Sequence, residues 1–226
     1  MLPAATEHIL ATVPDDALVL DVGGWGAPFN RADWVLDLMP YATRGGYGYD
    51  GDRSKERVTA GTWITRDLCA REPWPFSDHQ FDFAICSHTL EDVRDPIFAC
   101  SELQRVAKAG YIEVPSRLWE QSWGVQGEWV GFGHHHWLID ADDTAKHLRF
   151  VFKPHVIHAP GPEHFPAGFA ATLSEEEKVS QLWWDTDGFT CEEHVFYAPQ
   201  DLHAWLQAPV LERGWIPPSE RRRWRR

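Results

Sequence analysis

Two acidic residues follow apolar segments near the start of the chain, with glycines between them. The segment LVLDVGGWGAPFNRADWVLDL places Asp21 and Asp37 where its two apolar runs end. Gly23, Gly24 and Gly26 lie between them, and glycine permits tight turns and lets another molecule approach the main chain. Carboxylates accept hydrogen bonds from hydroxyl groups. The pattern predicts a loop that holds a ligand bearing a diol, and a tight turn without a ligand is the alternative.

The same loop does not favour a phosphate-bearing ligand. Counting G-x-G-x-x-G from Gly24 puts Phe29 at the third glycine, with Pro28 before it. A pyrophosphate also needs a helix N-terminus. Only about ten residues separate the two apolar runs, which is too few for a full crossover helix. The spacing therefore favours a nucleoside without phosphates over NAD.

Histidines form the second group of residues that could carry chemistry. His134, His135 and His136 are consecutive, and on an extended strand His134 and His136 would share one face. Either could act as a general base near neutral pH. The pair could instead join His88 or Glu113 on a divalent metal ion. Histidines that only pack or face solvent are the alternative.

An aromatic segment surrounds the histidine triplet. Aromatic rings stack on sugars, on other aromatic rings and on planar cations, so this segment is predicted to cover a site for a small molecule. Ordinary core packing is the alternative. The residues are Trp119, Trp123, Trp129, Phe132 and Trp137.

The elements that would position these residues predict an α/β fold with a doubly wound, mostly parallel sheet. Continuous apolar runs are typical of strands buried on both faces of a parallel sheet. A helix is predicted over residues 4–12, and another from Pro96 towards Gly110, where start and stop signals agree. The predicted strands are residues 17–22, 33–38, 62–65, 81–87 and the segment YIEVPS closed by Pro115.

The C-terminal half differs in composition, being rich in Trp and His, and is predicted to be an insertion or cap on the same domain. LRFVFKP indicates a strand, the S-x-x-E capping box at Ser174 predicts a helix, and HVFYAPQDLHAWLQ predicts a strand followed by a short helix. The expected organisation is a single domain with a core at 1–116, cap and C-terminal elements at 117–220 and a basic tail at 221–226.

Composition limits the partners and the compartment. Lys and Arg total 21 against 34 Asp and Glu, a net charge of −13, which disfavours nucleic acid. No apolar stretch is long enough for a membrane span, and no signal peptide is evident. Cysteines without paired spacing predict reduced thiols in a cytoplasmic protein. A small-molecule substrate is the expected partner, and the sequence leaves the oligomeric state open. The cysteines are Cys69, Cys86, Cys100 and Cys191.

Two longer motifs resemble the class I S-adenosylmethionine-dependent methyltransferases, in particular the methyltransferase type 11-like group. They are VLDVGGWG and RDLCAREPWPFSDHQFDFAICSHTLEDVRDPIFACSELQRVAKAGYIEVPS. The second is similar to the family run PF-x-D-x-SFD, LEH-x-x-DP and E-x-x-RV-x-K-x-GG. The resemblance covers roughly residues 18–116. It implies a Rossmann-like fold, S-adenosylmethionine as cofactor and S-adenosylhomocysteine as product.

The resemblance also implies where the cofactor would lie. The first glycine loop would face its methionine end, Asp37 would bind the ribose hydroxyls, and Asp67 would face the adenine amino group. The chain departs from the family in three ways: Trp25 and Ala27 replace glycines, the helix that normally follows the first loop is missing or a single turn, and Asp92 replaces the His of LEH. The implied cofactor-binding residues are Asp21, Gly23, Gly24, Trp25, Gly26, Asp37, Leu38, Met39, Asp67, Leu68, Ser87 and His88.

The sequence thus predicts a transferase that methylates a small molecule, for example at a hydroxyl of a sugar or secondary metabolite. His88, His134 and His136 are the candidate catalytic residues, and no metal is assigned to the site. Two alternatives remain. One is a nucleoside-binding or S-adenosylmethionine-binding protein without turnover, and the other is a metal-dependent hydrolase built on His134–His136. NAD-dependent oxidoreduction comes last, for want of a phosphate site.

Overall fold

The computed structural model describes residues 1–46 and 52–214, so the predicted basic tail at 221–226 lies outside the described residues. The chain forms two compact units, and each consists of three separate segments. Unit 1 comprises Met1–Val114, Ala141–Leu148 and Gln181–Glu192. Unit 2 comprises Pro115–Asp140, Arg149–Ser180 and Glu193–Arg226.

The described residues contain four α-helices and nine strands. The helices are α1 (Pro3–Thr12), α2 (Pro96–Val106), α3 (Arg117–Glu120) and α4 (Pro199–Glu212). The strands are β1 (Val19–Val22), β2 (Trp34–Asp37), β3 (Trp63–Thr65), β4 (Phe83–Ser87), β5 (Gly110–Pro115), β6 (Trp137–Asp142), β7 (His147–Phe152), β8 (Val179–Trp184) and β9 (Thr190–Glu193).

A six-stranded sheet has the order β3-β2-β1-β4-β5-β8, and a three-stranded sheet has the order β6-β7-β9. The pairs β1–β2, β1–β4, β2–β3 and β4–β5 are all parallel. The chain builds outward from β1 in one direction through β2 and β3, and in the other through β4 and β5. The predicted doubly wound, mostly parallel α/β fold is confirmed, with its switch in strand order at β1 and β4.

The central strands form where the sequence is continuously apolar. All four residues of β1 and all six of β5 are buried, as expected for parallel strands covered on both faces. The prediction for β1 started two residues early. The Leu18 main-chain N–H donates to the Asp82 carboxylate, and that of Val19 donates to Asp33, so side chains bind donors at the start of this strand.

Helix α2 begins with the chemistry that the sequence predicts. The Asp95 carboxylate accepts a hydrogen bond from the Phe98 main-chain N–H at 3.0 Å, and Pro96 occupies the first turn. Its inward face is buried through Cys100, Leu103 and Val106. By contrast, the described residues 23–33 between β1 and β2 contain no helix, as their number predicts.

The helix predicted from Ser174 is wrong, although its capping box is present. The Ser174 main-chain N–H donates to the Glu177 carboxylate at 3.0 Å, and the Glu177 N–H donates to the Ser174 hydroxyl at 3.2 Å. Only one turn forms, because β8 starts at Val179. The β-branched and aromatic residues that follow the box favour the strand.

Two further expectations for the C-terminal half need correction. His134, His135 and His136 precede β6 and lie in a turn and extended loop, so the strand alternation expected for them does not apply. The strand expected in HVFYAPQ lies earlier, as β9, whereas the helix predicted after it is confirmed as α4.

Unit 2 has an apolar core of its own, to which helix α4 contributes Leu206. Trp123 and Trp205 pack against this core as partly buried residues. No helix within the described residues is long and apolar enough to cross a membrane. The buried core residues are Val130, Leu138, Val151, Ile157 and Leu206.

Candidate functional site

The glycine loop after β1 is packed tightly against side chains of its own unit. Gly23 has a φ of +79°, and a Cβ there would overlap the Thr89 side chain. A Cβ at Gly24 would overlap the Asp21 carboxylate. Any larger residue at either position would displace a neighbour at the strand ends. Packing alone therefore requires glycine at both positions.

Asp21 is a buried carboxylate at the end of β1. One of its oxygens accepts a hydrogen bond from the Phe29 main-chain N–H at 2.9 Å. Burial raises the pKa of Asp21 to about 7, since the charged form loses its hydration. Nearby Asp37 adds to this increase, while the Phe29 hydrogen bond opposes it. A cation placed beside Asp21 would favour its ionised form.

Asp37, at the end of β2, fastens the glycine loop to the second strand. Its two oxygens accept hydrogen bonds from the main-chain N–H groups of Trp25, at 2.9 Å, and Met39, at 2.7 Å. Burial raises its pKa, although these hydrogen bonds oppose the change. A carboxylate offers about four lone-pair positions, so it can accept further hydrogen bonds. Beside it, Leu38 is 63% exposed and Met39 37% exposed, an apolar surface next to an acceptor.

Asp67 lies two residues beyond β3, and both of its carboxylate oxygens accept hydrogen bonds from nearby groups of the protein. One oxygen accepts from the Cys69 main-chain N–H at 2.8 Å and the other from the Arg94 guanidinium at 3.0 Å. The Cys69 hydrogen bond, together with Arg94, holds the pKa of Asp67 below its usual range. The Leu68 side chain is buried. Sequence reasoning did not identify Arg94.

A cluster of polar residues lies at the ends of β4 and β5, centred on the buried carboxylate of Glu113. The Tyr111 hydroxyl donates to Glu113 at 2.6 Å, the Leu2 main-chain N–H at 2.8 Å and the Ser87 hydroxyl at 3.2 Å. The His88 Nε2 atom lies 3.2 Å from Glu113 Oε1. Although burial opposes its charge, these donors lower the pKa of Glu113 to about 2. Through the hydrogen bond from Leu2, this cluster connects the first residues of the chain to the carboxyl ends of the strands.

His88 lies between two carboxylates, in a backbone conformation with φ of +52°. Its Nδ1 atom is 3.6 Å from Glu91 Oε1, on the side opposite Glu113. Burial opposes the imidazolium charge, but Glu113 and Glu91 outweigh it and raise the pKa of His88 to about 9. His88 therefore carries a proton near neutral pH, which does not suit a general base, and its predicted catalytic role stays a prediction.

Glu91 also belongs to this cluster, and sequence reasoning did not select it. It is 1% exposed, and neither of its carboxylate oxygens has a hydrogen-bond partner among the described residues. A buried acceptor without a donor is costly, and the opposing charge beside Glu91 is the His88 imidazolium, whose Nδ1 atom lies 3.6 Å from Glu91 Oε1. The LED segment, in which an acidic residue follows an apolar one, is the sequence signal that could have identified Glu91.

The three consecutive histidines have different surroundings in unit 2. His134 and His136 are exposed. The His135 side chain is buried, its Nδ1 atom lies 2.8 Å from Glu120 Oε2, and its ring stacks on Phe132. The Glu120 carboxylate also binds the buried Lys153 ammonium. His135 thus anchors the loop, which leaves its two neighbours at the surface.

Of the five aromatic residues singled out in this region, Trp129 is the most open. It is 41% exposed and lines a cavity within unit 2. Trp137 is buried against Phe150 and Phe152, and Trp119 meets Phe132 edge to face. Core packing therefore accounts for part of this set, and Trp129 is the aromatic residue that a ligand can reach.

Residues 51–112 match the family model described as a methyltransferase domain, about a quarter of the chain. The match confirms the predicted family resemblance over this segment. The methyltransferase-like segment includes Asp67, Ser87 and His88, while Asp21 and Asp37 precede it. None of the curated proteins matches the chain.

Several solved methyltransferase structures are similar to part of the chain. One is from Thermotoga maritima and is named a possible histamine N-methyltransferase, with 20% identity, 48% of each chain covered and a TM-score of 0.33. Another is from Aquifex aeolicus, with 17% identity, 50% of this chain and 64% of that chain covered, and a TM-score of 0.34. A third, from Mesorhizobium loti, has 18% identity, coverage of 51% and 56%, and a TM-score of 0.36. The chain spans about half the length of the first solved structures it matches.

Proposed function

We propose that this protein is an S-adenosylmethionine-dependent methyltransferase that acts on a small molecule. The observation that carries the proposal is the grouping of Asp21, Asp37 and His88 at the carboxyl ends of three adjacent parallel strands. In open α/β sheets, ligands bind at this edge, where the strand order switches. The methyltransferase-domain match over residues 51–112 supports the same assignment.

The residues at this edge fit S-adenosylmethionine, which carries a sulfonium and an ammonium group. Four acidic residues of unit 1 lie at or near the strand ends: Asp21, Asp37, Glu91 and Glu113. Glu91 and Glu113 are paired with the His88 imidazolium, so Asp21 and Asp37 are the carboxylates that we propose for the cationic ligand. Asp37 has acceptor capacity left for ribose hydroxyls, and exposed Leu38 and Met39 suit the flat face of adenine.

When bound, S-adenosylmethionine supplies a methyl group on a positively charged sulfur. The contribution of the protein is to hold the acceptor in line with that methyl group and to exclude water. His88, as an imidazolium held by Glu113 and Glu91, would orient groups at the end of β4. An acceptor hydroxyl requires a base, and the catalytic roles expected of His134 and His136 from the sequence stay a proposal.

A hydroxyl of a sugar or secondary metabolite is the acceptor that we propose. The net charge of −13 disfavours polyanionic substrates such as nucleic acid. The cytoplasmic location expected from the cysteines stays a prediction.

Isothermal titration with S-adenosylmethionine and S-adenosylhomocysteine tests the cofactor assignment. We expect micromolar binding to the wild-type chain, weakened at least about tenfold by Asp37→Asn, which removes charge but keeps one oxygen acceptor. Asp16→Ala is the matched control, since it removes an exposed carboxylate of the same unit. NAD serves as the ligand control.

Three results would decide against the proposal. Wild-type chain that binds neither sulfur nucleoside would refute the cofactor. Equal binding by Asp37→Asn and wild type would refute the ribose contact. If binding is confirmed, a mass-spectrometric screen of hydroxylated acceptors follows, and the absence of methylated product throughout would favour a binding protein without turnover.

A further inference from the structure

A second candidate site lies entirely within unit 2. It is an open cavity of about 480 Å³, lined by Gln126, Trp129, Gly133, His134 and His158. Cavities of roughly 300–1,000 Å³ are the usual size for small-molecule sites. This volume suits a ligand of one or two rings. The methyltransferase-domain match ends at residue 112, before any of these residues.

Trp129 is the fixed wall of this cavity. A Cβ at Gly127 would lie 3.1 Å from its ring, and one at Gly133 would lie 3.0 Å from it, closer than ordinary van der Waals contact. The two glycines thus let the indole pack directly on the main chain. Because its ring is held in this way and is still 41% exposed, Trp129 offers a preorganised surface for stacking.

The polar groups of the cavity wall are the Gln126 amide and the imidazoles of His134 and His158. His158 Nδ1 accepts a hydrogen bond from the Val130 main-chain N–H at 3.2 Å, which requires an unprotonated nitrogen. Burial, with the nearby Lys153, lowers the pKa of His158 and keeps it neutral. The Gln126 carbonyl accepts from the Gly133 N–H at 3.4 Å, a bond that does not use its amide N–H groups.

These features select a ligand chemistry. Amide and neutral imidazole groups both donate and accept hydrogen bonds, as hydroxyl groups do, whereas an ionic ligand would find no Lys, Arg, Asp or Glu among the residues that line the cavity. An indole stacks well on the CH-rich face of a saturated ring. We propose that this cavity binds an uncharged, hydroxylated ring such as a sugar.

The inference goes beyond the proposed function and does not depend on it. Binding of the ring by unit 2 needs no methyl transfer. The two proposals can therefore fail separately, and the experiment measures ring binding and cofactor binding on the same protein samples.

The test uses the full chain and ligand-observed nuclear magnetic resonance titrations near neutral pH. The probes are the methyl glycosides of glucose, galactose and rhamnose, with glucuronate as a charged ring and p-cresol as a flat aromatic ring. We expect at least one glycoside to bind, and Trp129→Ala to weaken it at least about tenfold, as loss of a stacking partner does. Tyr197→Ala is the matched control, because Tyr197 is 95% exposed in the same unit.

Each variant is also titrated with S-adenosylhomocysteine. Unchanged affinity of Trp129→Ala for S-adenosylhomocysteine would show that the variant is folded. Gln126→Ala is a smaller change, at an exposed residue of the cavity wall, and gives a second measurement of glycoside binding. If no glycoside binds the wild type, if glucuronate or p-cresol binds more tightly than the glycosides, or if Trp129→Ala and Gln126→Ala leave binding unchanged, the inference is overturned. Glycoside binding without nucleoside binding would overturn only the cofactor assignment.

Discussion

At the scale of single residues, Asp21 combines a cost in stability with a proposed role in binding. Its pKa is raised from 3.8 to about 7, so the folded protein disfavours its ionised form. Stability is therefore lost as the pH rises from about 4 through 7. Removing the charge should recover that loss.

We expect Asp21→Asn to raise the Tm at pH 8 by at least about 2 °C, and to leave it nearly unchanged at about pH 4. The amide oxygen can still accept the Phe29 hydrogen bond, so the loop should keep its position. Thermal unfolding of both proteins at the two pH values measures the difference. An equal shift at both would mean that ionisation of Asp21 is not its cause.

The same residue predicts that cofactor binding releases protons. A cationic ligand beside Asp21 would lower its pKa, and since the unliganded value is about 7, binding at neutral pH should expel a fraction of a proton. Titrations of S-adenosylmethionine in buffers of different ionisation enthalpy measure that fraction. We expect it to disappear in Asp21→Asn, and its persistence there would assign the proton to another group.

His88 predicts a pH dependence of the opposite sense. Its pKa is raised from 6.5 to about 9, so its contribution to stability is complete below about 6.5 and is lost as the pH rises through 9. The pKa of Glu113, about 2, keeps that carboxylate ionised over this range. We expect urea unfolding of the wild type to show this loss, and His88→Gln to flatten it.

His79→Gln is a matched control for His88→Gln. His79 also has a positive φ, of 51°, and is exposed, so both substitutions act on a histidine in the same backbone conformation. The control should keep the pH dependence of the wild type. A flattened profile in both variants would assign the effect to the backbone conformation rather than to the charge of His88.

Residue-level prediction from the sequence succeeded where the position on a strand determined the environment. Asp21 and Asp37 were selected because they end apolar runs, and they are the third of the four residues of β1 and the last residue of β2. Glu91 and Arg94 were missed because burial and the Asp67 ion pair depend on contacts that spacing does not reveal. The cofactor and catalytic roles of all these residues remain proposals.

At the scale of elements, the loop that carries His134 depends on a buried ion cluster. Glu120 binds the Lys153 ammonium and His135, and its carboxylate also accepts from the Phe132 main-chain N–H at 3.3 Å. The Lys153 ammonium donates to the Phe132 carbonyl at 2.9 Å. Four separate positions of unit 2 are joined through these groups.

We expect Glu120→Gln to lower the free energy of unfolding by about 3 kcal/mol, because it leaves the buried Lys153 charge without its partner. The double variant with Lys153→Met should recover part of this loss, since no unpaired charge remains. Urea unfolding of the single and double variants provides the measurement. Additive losses would mean that the two residues do not act as a pair.

Elements were predictable where pattern and capping agreed. The central strands were predicted because their sequences are continuously apolar. Helix α2 was predicted because Pro96 follows Asp95 at its start and the apolar residues have helical spacing. The helix at Ser174 was wrong because a capping box fixes only the first turn, and the chain from Val179 prefers a strand. No local sequence pattern predicts that β8 pairs with β5 at the edge of the six-stranded sheet.

At the scale of the whole molecule, the charge of −13 should influence how a charged cofactor binds. S-adenosylmethionine carries one positive charge more than S-adenosylhomocysteine, so attraction by an acidic protein favours the former at low salt. Between about 0.01 M and 1 M salt the screening length falls from about 30 Å to 3 Å. We expect the Kd of S-adenosylmethionine to rise several-fold over this range and that of S-adenosylhomocysteine to change less. Equal salt dependence would count against an electrostatic preference.

The division of the chain into interleaved segments has a consequence for synthesis and dissection. Unit 1 is complete only when residues 181–192 have been made, and unit 2 starts at residue 115 and resumes twice later. A nascent chain that ends after Val114 presents β5, whose inner residues are buried in the full protein, as an unpaired edge before β8 exists. Neither unit can be produced by cutting the chain once. We therefore expect the two units to be made, degraded and inherited together, with shortened versions lost to aggregation during translation.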